Sequence, residues 1–146
     1  MPGELLAANE LAKSNIIEGI ISSTVQKDII KRYNPENPAM LSSIVDSSRL
    51  NSSNYFTLIK IADTLNNQRK KKDSITHSTV EKYFSYLKAV YFVHQCEVYS
   101  YRKKDVLNRV NRKYYLNDTG MALCLDEFEN RRILENVIFM ELIKSG

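Results

Sequence analysis

The chain is poor in several residue types at once. It has two cysteines, three prolines and four glycines among 146 residues, and no hydrophobic run near the length of a membrane span. Cys96 and Cys124 lie 28 residues apart with no nearby His or Cys pair, a spacing that does not make a zinc site. Reduced thiols in a cytoplasmic protein are expected. His77 and His94 are isolated and share no motif with the cysteines. The opening Met-Pro-Gly-Glu-Leu-Leu has no basic region followed by an apolar run, so no secretory signal is expected. No Gly-x-x-x-x-Gly-Lys-Ser/Thr phosphate loop is present, so nucleotide turnover is not expected of this chain. With no complete catalytic apparatus, the expectations are no enzyme activity, no metal, no cofactor and no membrane contact.

What is present suits a globular domain. Hydrophobic residues make up 43% and charged residues 26%. A chain of this size buries roughly 70% of its unfolded surface and needs no disulfide or metal to hold a core. The scarcity of Pro and Gly, without repeats or low-complexity tracts, predicts a mostly helical protein with a small β element. The net charge of +4 hides an asymmetry. Residues 60–113 carry 13 Lys/Arg and 5 Asp/Glu, a balance of +8, and the remainder has a balance of −4. A concentrated basic region is the footprint of a face that meets phosphates, or simply of a solvated surface.

Hydrophobic spacing and capping residues predict six helices and two strands. Ile16, Ile17, Ile20, Ile21, Val25 and Ile29 define a helix over 14–33, ended by Asn34-Pro35-Glu36-Asn37-Pro38. A second helix is predicted over 38–50, with Met40, Leu41, Ile44, Val45 and Leu50 inward. A third covers 56–68, with Leu58, Ile59, Ala62 and Leu65 inward. The basic run Arg69-Lys70-Lys71-Lys72 is predicted to be a loop. The fourth helix is expected near Ser78, because Ser78-Thr-Val-Glu81 fits a capping box. Its buried stripe is Val80, Tyr83, Phe84, Leu87 and Val90. Tyr91–Tyr101 and Arg112–Leu116 are rich in aromatic and β-branched residues and read as strands flanking a basic wing tip. Asp118 or Thr119 can cap a short helix over 119–125, and a final helix covers 131–145. The fold class expected is mainly α with a small β wing: a winged helix-turn-helix preceded by two helices and followed by a terminal helix.

Four segments, in order, carry a family likeness. They are Val25-Gln-Lys-Asp28-Ile-Ile-Lys-Arg-Tyr33, Thr79-Val80-Glu-Lys-Tyr83-x-x-Tyr86-Leu87, Lys113-Tyr-Tyr-Leu116-x-Asp118-Thr119-Gly120 and Leu134-Glu135-Asn136-x-Ile138-Phe139-x-Glu141-Leu142. Together they resemble the C-terminal half of prokaryotic predicted ATPases of the AAA superfamily. In that group an ATP-binding domain precedes a winged helix and a nuclease-like domain of uncharacterised function. The resemblance implies that residues 1–52 are a helical tail of an ATPase part, 53–118 the winged helix-turn-helix, and 119–146 the start of a nuclease-like domain. It therefore implies a piece of a longer protein, with the ATPase and nuclease-like parts as its partners. It also places Glu135 where related nuclease folds have a glutamate that helps to hold a divalent metal. A magnesium site needs oxygen ligands converging from several elements, so Glu135 is expected here as a helix-surface residue.

Two functions compete, and the sequence favours the first. The first is weak, non-specific DNA binding. His77 and Thr79 would meet phosphate at the start of the fourth helix, and Lys82, Ser85 and Tyr86 the major groove. Arg102, Lys103, Lys104, Arg109 and Arg112 would neutralise backbone charge along the wing. The exposed face has no Arg, Asn or Gln for bidentate base contacts, so sequence-specific readout is not expected. The second is a non-catalytic interaction or interdomain coupling module. The final helix is apolar on more than one face through Ile133, Leu134, Val137, Ile138, Phe139, Leu142 and Ile143. This coverage predicts a homodimer or a mobile helix in isolation.

Overall fold

The computed structural model describes residues 2–68, 74–97, 112–123 and 130–146. The chain opens on a long helical rod. α1 spans Pro2–Thr24, passes into a π-helical turn at Val25–Ile30 and ends as α2, Lys31–Tyr33. The helix predicted from residue 14 thus extends back to Pro2. The additional turns escape the periodicity because Leu5, Leu6 and Leu11 are exposed and mark no buried stripe. Among the described residues, the C-terminal part of the rod is the part that packs: Ile21, Val25 and Ile29 are buried, whereas Ile16 and Ile20 face solvent. Asn34 stops the rod with φ 43°, a left-handed conformation that Asn tolerates better than most residues.

α3 runs over Pro38–Asn51 and has Pro at its first turn, where no N–H is needed. The Asn37 side chain caps it by accepting the Met40 N–H at 3.0 Å. Met40, Leu41, Ile44 and Val45 are buried as the spacing predicts. Leu50 is exposed instead, and Arg49 takes the inward position. A short strand, β1 (Tyr55–Phe56), follows in place of the predicted first turn of the third helix. Two residues are too few to show alternation, which is why it escapes a periodicity reading.

α4 spans Leu58–Gln68, with Thr57 Oγ1 accepting the Lys60 N–H at 3.1 Å. Leu58, Ile61, Ala62 and Leu65 are buried, while Ile59 is turned out. α5 covers His77–Ala89. Its cap is Thr76, whose Oγ1 accepts the Thr79 N–H at 3.3 Å. Ser78 is already inside the helix, so the expected Ser78–Glu81 capping box does not form. The α5 stripe of Val80, Tyr83, Phe84 and Leu87 is buried. At its end Phe92 N–H reaches the Leu87 carbonyl at 2.9 Å across Tyr91, which sits at φ 57°. This is a Schellman-type stop with tyrosine where glycine is usual.

β2 is Val93–Cys96 and β3 Arg112–Leu116. The wing tip and the basic run 69–73 lie outside the described residues, as do most of the expected second half of β2 and Cys124. The three strands form an antiparallel sheet in the order β1-β3-β2, with Val93 opposite Leu116 and Phe56 opposite Arg112. α6 (Gly120–Leu123) and α7 (Asn130–Ser145) complete the chain. The order α3-β1-α4-α5-β2-β3, with β3 central, is a winged helix-turn-helix. The fold is mainly helical with a small β wing. One core joins its elements, from Ile21 and Val25 of the rod through Ile44, Leu65, Phe84 and Phe92 to Leu116 and Ala122. Phe84 meets the Tyr114 ring at 4.9 Å, tilted by 58°, an edge-to-face arrangement that adds to the area buried.

Candidate functional site

α5 presents its N-terminal turn and one flank to solvent. His77, Lys82 and Ser85 are exposed, and Thr79 is half-buried against its own cap. Ser85 Oγ donates back to the Lys82 carbonyl at 2.6 Å. Along the other flank lies the corner between α2 and α3. Tyr86 stacks on Tyr33 with ring centroids 4.3 Å apart and planes 8° from parallel. The Asn37 N–H donates to the Tyr83 hydroxyl at 3.1 Å, and Glu36 Oε1 stands 3.9 Å from Lys82 Nζ. Tyr86 and Lys82 therefore already have neighbours within the chain. The exposed flank adds Glu81 and Lys88, the latter donating to Gln95 Oε1 at 2.9 Å. Arg112 is half-buried on β3, with Nη1 reaching the same Gln95 oxygen at 3.5 Å. Arg102, Lys103, Lys104 and Arg109 lie outside the described residues.

A second group of residues meets where α7 docks on the winged helix. β3 pairs with β1 only at Arg112 and Lys113. Beyond that, Ser53 N–H donates to the Tyr114 carbonyl at 2.8 Å. The buried Asn136 side chain then takes over. Its Oδ1 accepts the Leu116 N–H and its Nδ2 donates to the Leu116 carbonyl, each at 2.8 Å. The same Oδ1 accepts Ser52 Oγ–H at 2.8 Å. Arg132, one turn earlier and also buried, donates from Nε and Nη2 to the Ser52 carbonyl at 3.0 and 2.7 Å, and from Nη2 to the Leu50 carbonyl. Ser53 Oγ donates in return to the Arg132 carbonyl at 3.0 Å. A buried polar group without partners is costly, so these reciprocal bonds fix the docking of α7 in register as well as in place.

Glu135 lies on the neighbouring face of α7. Its Oε1 accepts Lys113 Nζ at 2.6 Å and the Tyr115 hydroxyl at 2.8 Å. Burial by itself raises this carboxyl, but the two donors outweigh it and hold Glu135 below the usual carboxylate range. Burial together with the Glu135 carboxylate pushes the Tyr115 hydroxyl strongly up, so it stays a donor. The Tyr115 ring stacks on Phe139 at 3.9 Å. Glu135 is thus a docking residue rather than a plain helix-surface glutamate. Among the described residues no group of three or more His, Cys, Asp or Glu could hold a metal ion. Among the same residues no helix is long and apolar enough to cross a membrane.

Sequence reasoning missed the junction formed by Ser52, Ser53, Arg132 and Asn136. A buried Asn or Arg on a mixed helix carries no periodic signal. The one trace is the Leu134-Glu135-Asn136 segment itself, two of whose three residues hold α7 to β3. The opposite side of α7 remains open, with Leu134, Ile138 and Leu142 each more than half exposed.

These features define a winged-helix domain with a long N-terminal helical rod and a polar-locked C-terminal helix. Residues 1–132 match the family described as Domain of unknown function (DUF8612), and the chain belongs to that family. An uncharacterized protein of Haemophilus influenzae (strain ATCC 51907 / DSM 11121 / KW20 / Rd) is 28% identical over 145 residues, which are 97% of this chain and 35% of that protein. The chain thus spans about a third of the length of the curated relative it matches. No solved structure matches it.

Proposed function

We propose that this domain is a non-catalytic coupling module, a rigid connector that holds other parts of a longer protein in a fixed relation. The observation that carries the reading is the two-sided character of α7. One side is locked to β3 and the α3–β1 turn by Asn136, Arg132 and Glu135. The other exposes Leu134, Ile138 and Leu142. A helix held to its domain through polar side chains needs no apolar stripe on its far side, and such a stripe suits a second contact. The match to about a third of a longer relative supports the same view. In the longer protein, the ATPase and nuclease-like parts implied by the family likeness are the candidates for what the module connects. The test replaces Leu134 and Ile138 with Glu in the isolated chain and in a longer protein containing it. Loss of self-association in the first, or of interdomain protection from proteolysis in the second, with an unchanged unfolding midpoint, supports the proposal. A wild-type chain that is strictly monomeric, together with unaltered proteolysis of the longer variant, overturns it.

A second reading, weak and non-specific DNA binding, is favoured by the +8 balance of residues 60–113 and by the exposure of His77, Lys82 and Ser85. It is the weaker of the two because Tyr33 and Glu36 already engage Tyr86 and Lys82. Reversing the charge of Lys103 and Lys104 is expected to weaken binding to unrelated duplexes about equally and to flatten its salt dependence. A folded chain that binds no duplex at low salt removes this reading.

A further inference from the structure

Between the C-terminal part of α1 with its π turn and the first half of α3 lies a cleft of about 340 Å³. Ile21, Val25 and Val45, all buried, form its floor, and Glu18, Ser42 and Asp46 stand at its rim. The π turn, with Lys31 N–H bonded to the Gln26 carbonyl, widens the helix beside this floor, and such turns recur at functional sites. The rim has a definite charge. Glu18 Oε2 and Asp46 Oδ1 lie 3.3 and 3.4 Å from the same Nη1 of Arg49, so the two carboxylates are close neighbours. Arg49 is buried, and its Nε is spent on the Met121 carbonyl at 2.8 Å. One guanidinium faces two carboxylates, which leaves one negative charge in surplus at the edge of an apolar floor. Burial raises the Asp46 carboxyl, with Arg49 opposing the rise and Glu18 adding to it.

We infer that this cleft docks a peptide segment of a protein partner that presents an aliphatic side chain beside a Lys or Arg. The aliphatic group fills the cleft above Val25 and Val45, and the cation takes the surplus charge of Glu18 and Asp46. The volume lies at the low end of the roughly 300–1,000 Å³ of small-molecule pockets, which suits one or two side-chain anchors. The same negative rim repels phosphates, so nucleic acid is not the occupant. No cleft residue takes part in the α7 junction, and the inference does not depend on the coupling role.

The experiment titrates the isotopically labelled protein with a short helical peptide carrying one Leu-x-x-Lys pair, and with versions having Glu for Lys or Ser for Leu. Amide shifts are expected at Val25, Ser42 and Asp46 for the Leu-x-x-Lys peptide, with affinity reduced roughly three- to tenfold by the Glu exchange. Ser42→Trp fills the mouth from an exposed position and is expected to abolish the shifts. Asp46→Asn is expected to weaken binding while keeping the Arg49–Glu18 pair. Unchanged thermal midpoints of both variants serve as the folding control. Absence of shifts at millimolar peptide, indifference to the Lys-to-Glu exchange, or full binding by Ser42→Trp overturns the proposal.

Discussion

Asn136 and Leu116 form a closed two-bond ring in which a side-chain amide pairs with a backbone as a neighbouring strand would. β1 is only two residues long, so it leaves the far half of the β3 edge without a strand partner. Ser53 covers Tyr114 and Asn136 covers Leu116, and the edge is satisfied by three different devices in succession.

Asn136→Ala is expected to cost about 2–4 kcal/mol, because it strands the buried Leu116 N–H and carbonyl and removes the acceptor of Ser52. Urea unfolding measures the loss, and faster exchange of the Leu116 amide locates it. An unchanged midpoint with a protected Leu116 amide would show that α7 docks without this ring.

Phe84→Ala should be costlier still, about 3–5 kcal/mol, as large-to-small changes in a closed core are. Phe84 is 1% exposed and joins the α5 stripe to the Tyr114 ring. A near-wild-type unfolding midpoint would contradict its central place.

Much of this was legible beforehand, for a physical reason that also marks where legibility ends. Leu58, Ala62, Val80, Phe84 and Leu87 recur at helical spacing, and they are buried. β1 was not visible because two residues have no period, and its role depends on Arg112 and Lys113, far along the chain. Arg49 and Leu50 exchanged places because a charged side chain is read as exposed unless its partners are known. Glu18, Asp46 and Met121 O supply them here. The candidate helix α5 was readable as an element. That Tyr33 lies on Tyr86 was not, since nothing local couples positions so distant in sequence.

Acid should loosen the α7 junction. Glu135 is held below its ordinary value of 4.5 in the folded chain by Lys113 and Tyr115. A depressed carboxyl contributes stability above its unfolded value and loses it as pH falls through the lower folded value. Stability should therefore decline below about pH 4.5, and Glu135→Gln should decline less steeply over that range. Melting temperatures of both proteins across an acid series check the sign. Parallel curves would exclude Glu135 as a contributor.

Tyr91→Gly is expected to stabilise the chain by about 1 kcal/mol. Tyr91 is 70% exposed and buries little, yet it adopts φ 57°, a conformation that costs an L-residue roughly 1–2 kcal/mol and glycine almost nothing. Part of the gain is offset by the greater freedom of glycine in the unfolded chain. A lower melting temperature for the variant would mean that the tyrosine ring contributes more than its exposure implies.

The π turn sets the phase of everything before it. An α-helix advances about 100° per residue and a π turn less, so relaxation of Val25–Ile30 to ordinary helix with all six residues kept would rotate the preceding rod by on the order of 100° relative to α3. Ile21 would leave its buried position, and Glu18 would swing away from Arg49, leaving the buried guanidinium without its closest carboxylate. Residues 2–20 would then present a different face while the winged helix behind them stayed as it is. The length of six residues thus acts as the setting of a rotary joint: it decides which face of the rod meets whatever lies beyond.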